Sequence, residues 1–178
     1  MLIWLTPPFK HYKTQYFTFF LILAFADPLI YYIYLIFGLY PLNFYPIMTF
    51  LLIVSLSNIK KRFLWITASV VVLILTYIYH NDQTKLYVFC IILFSVVLYQ
   101  IINKLLQMVI QQRVLNLFLS MLLFYTMISE LKLIAITINA YRGSMSYLLA
   151  TFTQLFFGIS FSFITINTKN FIISSKPK

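Results

Sequence analysis

The sequence predicts an all-α fold: a polytopic integral membrane bundle of about six helices, with both termini cytoplasmic. Three observations predict it. Hydrophobic residues make up 62% of the 178 positions and charged residues only 9%, whereas a soluble domain is about 45–50% apolar and about 25% charged. Apolar segments near the length of about 20 residues that crosses hydrocarbon recur along the chain. Lys and Arg total 13 against 3 Asp and Glu, and they cluster at the ends of those segments. A soluble globular fold and a disordered chain are both excluded by this composition. So is a sizeable water-soluble catalytic domain, because the spans use most of the length.

The opening residues Met1 to Phe9 precede the cations Lys10 and Lys13. A cleaved secretory signal has the reverse order, so none is expected, and Trp4 reads as an interfacial anchor. Span 1 covers about residues 16–39 and is interrupted by Asp27-Pro28, which predicts a kinked or broken helix. Span 2, about 42–57, starts with Pro41 and Pro46, residues suited to a first helical turn. Lys60-Lys61-Arg62 separates it from span 3, about 63–79. The turn His80 to Lys85 is the most polar stretch, and span 4 follows over about 86–102.

The segment 103–113 differs. Leu105, Leu106, Val109 and Ile110 fall on one helical face, with Asn103, Lys104, Gln107 and Gln111 opposite. This is an amphipathic helix, lying on the membrane surface or extending span 4 into water. Span 5 covers about 114–136 and span 6 about 145–166, joined by the turn that holds Arg142. Long period-two patterns are absent, which disfavours a barrel. Spans 1 to 3 and 4 to 6 show no residue similarity that would mark an inverted repeat.

Orientation follows from the cations. With six spans, one side receives Lys10, Lys13, Lys60, Lys61, Arg62, Lys104, Arg113, Lys169, Lys176 and Lys178, and the other only Lys85, Lys132 and Arg142. The positive-inside rule makes the first side cytoplasmic, or the matrix or stroma of an organelle. High Ile, Phe, Tyr and Asn with little Gly suits an AT-rich genome. A bacterial inner membrane is the expected location and an organelle inner membrane the alternative. The expected partners are the lipid bilayer, anionic lipid head groups on the cytoplasmic side, and other membrane subunits or a second copy. Nucleic acid is not expected, because no Arg stripe is interleaved with exposed aromatics.

Asp27 is the most informative residue. It stands roughly 16 Å along span 1 from Tyr16, near mid-bilayer. An ionised carboxylate there costs about 2.5–3.5 kcal/mol, so it is normally paired, protonated or turned inward. Asp27 with Tyr31 and Tyr34 makes a candidate proton or cation site. The competing readings are a structural carboxyl, bonded within the chain or to a partner, and a later start of span 1 that puts Asp27 near an interface. Glu130, Lys132 and Arg142 make a candidate ion pair at the outer interface. Ser146, Ala150, Gln154, Gly158 and Ser162 form an i, i+4 row of small and polar residues on span 6. That is a packing face, inside the protomer or between subunits.

No cofactor or metal is expected. His11 and His80 fall on opposite sides of the membrane, and no His-Glu-x-x-His motif occurs. Cys90 lies alone in an apolar run and reads as a small buried hydrophobe. Three scattered acids do not assemble a familiar active site, so an enzyme is the last choice. The leading function is a non-enzymatic subunit, anchor or signalling component of a larger membrane complex. The alternatives are an oligomeric channel or transporter using Asp27, and a membrane sensor reporting through the segment 103–113.

Overall fold

A computed structural model of the protein describes residues 2–38, 41–57, 62–138, 144–166 and 170–172. Among these, nearly every residue outside the short connections is helical. The chain opens with a 3-10 turn, Leu2–Leu5, that runs directly into α1, Thr6–Lys10. Pro7 and Pro8 sit in the first turn of α1, where their missing N–H groups cost nothing. A turn at His11 reverses the chain into α2, Phe17–Phe37.

Pro28 lies inside α2, and the helix is continuous through it. Of the expected kink or break at Asp27-Pro28, the break is absent; Pro28 removes one hydrogen bond, which leaves the Ala24 carbonyl without its usual donor. Gly38 ends the helix in the left-handed conformation, with φ 64° and its N–H on the Tyr34 carbonyl, a backbone shape that glycine adopts without steric cost. A 3-10 turn, Pro41–Phe44, leads into α3, Tyr45–Leu56. Then come α4, Arg62–Ile78, and α5, Gln83–Gln107. Asp82 caps α5, its carboxylate accepting from the Lys85 N–H at 3.1 Å and pairing with the Lys85 ammonium at 2.9 Å.

The amphipathic segment 103–113 is no separate helix. It continues α5 and closes in a π turn, Met108–Gln112. Arg113 then takes up a left-handed conformation, φ 53°, and the chain enters β1, Val114–Asn116. The fold stays mostly helical, and this short strand moves the start of the next helix from about 114 to 117. β1 pairs antiparallel with β2, Asn170–Ile172, in the register Val114↔Ile172. Helix α6 covers Leu117–Thr137 and α7 covers Ser144–Phe163. Three helical stretches are long and apolar enough to cross a membrane: Phe17–Phe37, Gln83–Gln112 and Leu117–Thr137. Shorter apolar helices occupy Leu42–Leu56, Leu64–Ile78 and Phe152–Phe163.

Helices α5 and α6 form an antiparallel hairpin across the four residues 113–116. α3 packs beside α5, and the end of α3 is tied to α5 where the Gln100 amide donates to the Ser57 hydroxyl at 2.9 Å. α4 packs on α3 through Phe50 and Trp65. The core is densest where α1, α2, α6 and α7 meet, around Phe20, Phe118 and Phe161, whose rings lie 5.1–6.1 Å apart. Aromatic pairs at such spacing add edge-to-face attraction to the burial of their area.

Candidate functional site

The N-terminal segment is the element that organises this core. Trp4 packs inward on the helices. Its ring packs 5.2 Å from Tyr125 of α6 and 6.4 Å from Phe161 of α7. Tyr125 is eight residues into α6, about 12 Å along its axis. Residues 3–10 therefore run alongside the helices rather than across their ends, antiparallel to α2. Gly158 permits this approach: a Cβ at that position would meet Ile3 Cγ2 at 2.6 Å. Four residues on, the Ser162 hydroxyl hydrogen-bonds with that of Thr6.

This explains part of the small-residue row on span 6. Gly158 and Ser162 face the chain's own N-terminal segment, whereas Gln154 is exposed. The side chains of Ser146 and Ala150, and Arg142 as a whole, lie outside the described residues.

At the top of the segment, His11 is fully buried. Its ring lies 4.7 Å from Phe20 and 5.0 Å from Phe118, and Nε2 is 3.3 Å from the Phe161 carbonyl oxygen. That carbonyl belongs to the last turn of α7, where no intrahelical N–H is left to serve it. A carbonyl only accepts, so Nε2 carries the proton and Nδ1 is the bare nitrogen, buried without a partner. Burial holds His11 below the ordinary histidine pKa, outweighing the carbonyls of Phe161 and Ile164, and Lys10 adds to the depression.

Asn116 completes the junction. It is also fully buried. Its Oδ1 accepts from the Leu119 N–H at 3.0 Å, capping α6, while Nδ2 donates to the Ile166 carbonyl at 2.8 Å. Both residues escaped the sequence reading. For Asn116 a signal existed, an Asn immediately before an apolar run. For His11 none did, because its partner stands 150 positions away.

The charged residues of the helices form a second group. Asp27 is the middle residue of the 21-residue α2 and is half-buried. The charge of Lys132 on α6 acts on it, and its own charge acts on Tyr125. No ion pair within 4 Å joins Asp27 to Lys132; among the described residues that geometry occurs at Asp82–Lys85. Tyr31 and Tyr34 are 61% and 45% exposed and look outward instead of lining a cavity. The cleft beside this part of α2, about 200 Å³, is apolar and lined by Phe25, Leu29 and Met48 among others.

Glu130 bonds to the neighbouring helix. Its carboxylate accepts from the Ser95 hydroxyl at 2.5 Å. Ser95 is the middle residue of the 25-residue α5, and Glu130 stands about two thirds of the way along α6. The separation from Lys132 has a simple cause: residues two apart on a helix point to different faces. Glu130 bonds to Ser95, and the charge of Lys132 acts on Asp27. Cys90 is buried, and among the described residues no three His, Cys, Asp or Glu side chains converge as a metal site would need.

Compared with family models, curated proteins and solved structures, the chain matches none. The functional argument therefore rests on this geometry. His80, at the far end of α5 from His11, stacks on Tyr77 with rings 5.6 Å apart and is exposed. Of the candidate groups, the two mid-helix sets, Asp27 with Lys132 and Glu130 with Ser95, combine charge with an apolar setting.

Proposed function

We propose that the chain is a non-enzymatic subunit, anchor or signalling component of a larger membrane complex. In this reading it crosses the bilayer six times, with both termini on the cytoplasmic side of a bacterial inner membrane or the matching side of an organelle inner membrane. The ten-to-three asymmetry of cations supports that orientation. One observation carries the subunit reading: the Ser95–Glu130 hydrogen bond on the outer face of the α5–α6 hairpin. Around Ser95, the residues Ile92, Val96 and Tyr99 are all exposed, and Leu131 beside Glu130 is 60% exposed. These are apolar or aromatic neighbours around a carboxyl at mid-helix. A carboxylate facing hydrocarbon is costly and is normally turned to a protein partner. A partner helix that brings a donor to this face removes that cost.

The test is in-membrane photocrosslinking from position 96 in native membranes. A discrete crosslinked partner or dimer, lost in Glu130→Ala, is the expected outcome. Crosslinks to lipid alone, with the chain recovered as a lone monomer in mild detergent, would sink the reading.

A second reading, an oligomeric channel or transporter with Asp27 as a proton or cation site, is favoured by the charge of Lys132 acting on Asp27 in mid-helix. It expects Asp27→Asn to abolish ion flux in liposomes with the fold intact. Unchanged flux would remove Asp27 from the mechanism.

A further inference from the structure

At one end of the bundle, four parts of the chain converge: the turn before α2, the π turn that closes α5, the start of α6 and the residues after α7. Between them lies a cleft of about 240 Å³. Its polar lining is Gln15, Tyr16, Lys104, Gln107, Gln111 and Gln112. Leu119 and Ile166 contribute apolar walls.

The π turn builds this lining. In a regular α-helix Gln107 and Gln112, five positions apart, point to different faces. A π turn spends more residues per turn and brings position i+5 back towards i. Gln107, Gln111 and Gln112 consequently share one cleft. Arg113, held in its left-handed conformation, follows directly.

Lys104 supplies the charge. Its ammonium sits 5.2 Å from the centre of the buried Tyr16 ring, a cation–π contact that fixes its position. It has no carboxylate beside it. The chain contains only three acids; Asp27 and Glu130 are in mid-helix and Asp82 is at the opposite end of α5. Carboxamide N–H donors, a placed ammonium and the absence of any acid select for an anion with several acceptor oxygens. The volume is below the roughly 300–1,000 Å³ typical of small-molecule sites, which fits a phosphate-sized group. Leu106 and Ile110, on the same stretch of α5, are exposed and apolar, a surface on which an acyl chain can lie.

We propose that this cleft binds a phosphate-bearing anion, with Lys104 as its charge partner and the carboxamides of Gln107, Gln111 and Gln112 as donors. The shared chemistry is a phosphate group, carried by a lipid head group or free in solution.

The experiment uses the full chain in phosphatidylcholine nanodiscs. In one arm phosphatidylglycerol is included; in the other, inorganic phosphate is titrated into phosphatidylcholine alone. Thermal midpoint and lipid retained by native mass spectrometry are read in both. A rise with phosphatidylglycerol only identifies a lipid head group; a rise with inorganic phosphate identifies the free anion. Either supports the site, provided Lys104→Gln weakens the effect about fivefold, the loss expected for one cation near a membrane surface. Lys13→Gln, a cation close in sequence to Gln15 that does not line the cleft, should leave it unchanged. The paired change Gln111→Ala with Gln112→Ala, at exposed positions, repeats the reading if Lys104→Gln fails to fold. No response in either arm overturns the proposal. So does an equal loss in Lys13→Gln, which would mean a diffuse basic surface.

Discussion

His11 caps the end of α7 from the other end of the chain, its Nε2 held 3.3 Å from the carbonyl oxygen of Phe161. The contact satisfies a helix-terminal acceptor that α7 cannot serve itself. It also fixes the turn from which the N-terminal segment runs back along α6 and α7.

Burial of the His11 ring makes stability depend on pH. In the unfolded chain a histidine titrates near about 6.5. In the folded protein His11 is depressed below that value, chiefly by burial. The unfolded chain therefore takes up the proton first as pH falls. The contribution of His11 is full above about 6.5 and is lost as pH drops through the lower native value. The thermal midpoint in nanodiscs should fall between pH 7.5 and pH 5, and His11→Gln should flatten that slope while lowering the plateau. An unchanged slope in His11→Gln would assign the effect to other groups.

Gly158→Ala should push the N-terminal segment away, because its Cβ would stand 2.6 Å from Ile3 Cγ2. Overpacking of this kind costs about 1–3 kcal/mol. A cysteine placed at Thr6 should react faster with maleimide in the Gly158→Ala background than in the parent. Equal reactivity would show that the segment adjusts without undocking.

Asn116→Ala removes a helix cap and leaves the Ile166 carbonyl without its side-chain donor. A lost cap costs about 0.5–2 kcal/mol, and a stranded buried acceptor a further 1–3 kcal/mol. Asn116→Asp keeps the cap acceptor but sets a buried carboxylate against the Ile166 carbonyl oxygen, so it should lose more than Asn116→Ala. Thermal unfolding of the three proteins in one detergent measures this order, and Asp standing above Ala would contradict it.

Asp27 and Lys132 should behave as a coupled pair. Lys132→Met leaves the Asp27 carboxylate without its balancing charge, and Asp27→Asn leaves the ammonium. A double-mutant cycle should return a coupling of about 0.5–3 kcal/mol, with the double variant more stable than the sum of the singles predicts. Additive losses would show that the two charges ignore each other.

Much of the helical layout is legible in composition and periodicity. Each of the six apolar segments contains a helix, because an apolar run must satisfy its backbone internally and its residues impose that locally. The same reasoning missed β1. Val114 to Asn116 are apolar enough to extend a helix, and they pair with residues 170–172 instead. Nothing local records that partner. At Pro28 the local rule overstates the effect, since one absent hydrogen bond does not end a 21-residue helix.

The candidate sites divide along the same line. That Asp27 is an acid in the middle of an apolar helix is a property of sequence spacing alone, and so is the crowding of cations at segment ends. Which residues answer them is a property of the assembled bundle. Glu130 bonds to Ser95, Lys104 sits over Tyr16, His11 meets Phe161, and the charge of Lys132 acts on Asp27. Hydropathy is additive along the chain and can be read one segment at a time. Hydrogen bonds and charge contacts act over a few ångströms between elements far apart in sequence, so only the packing of the helices selects them.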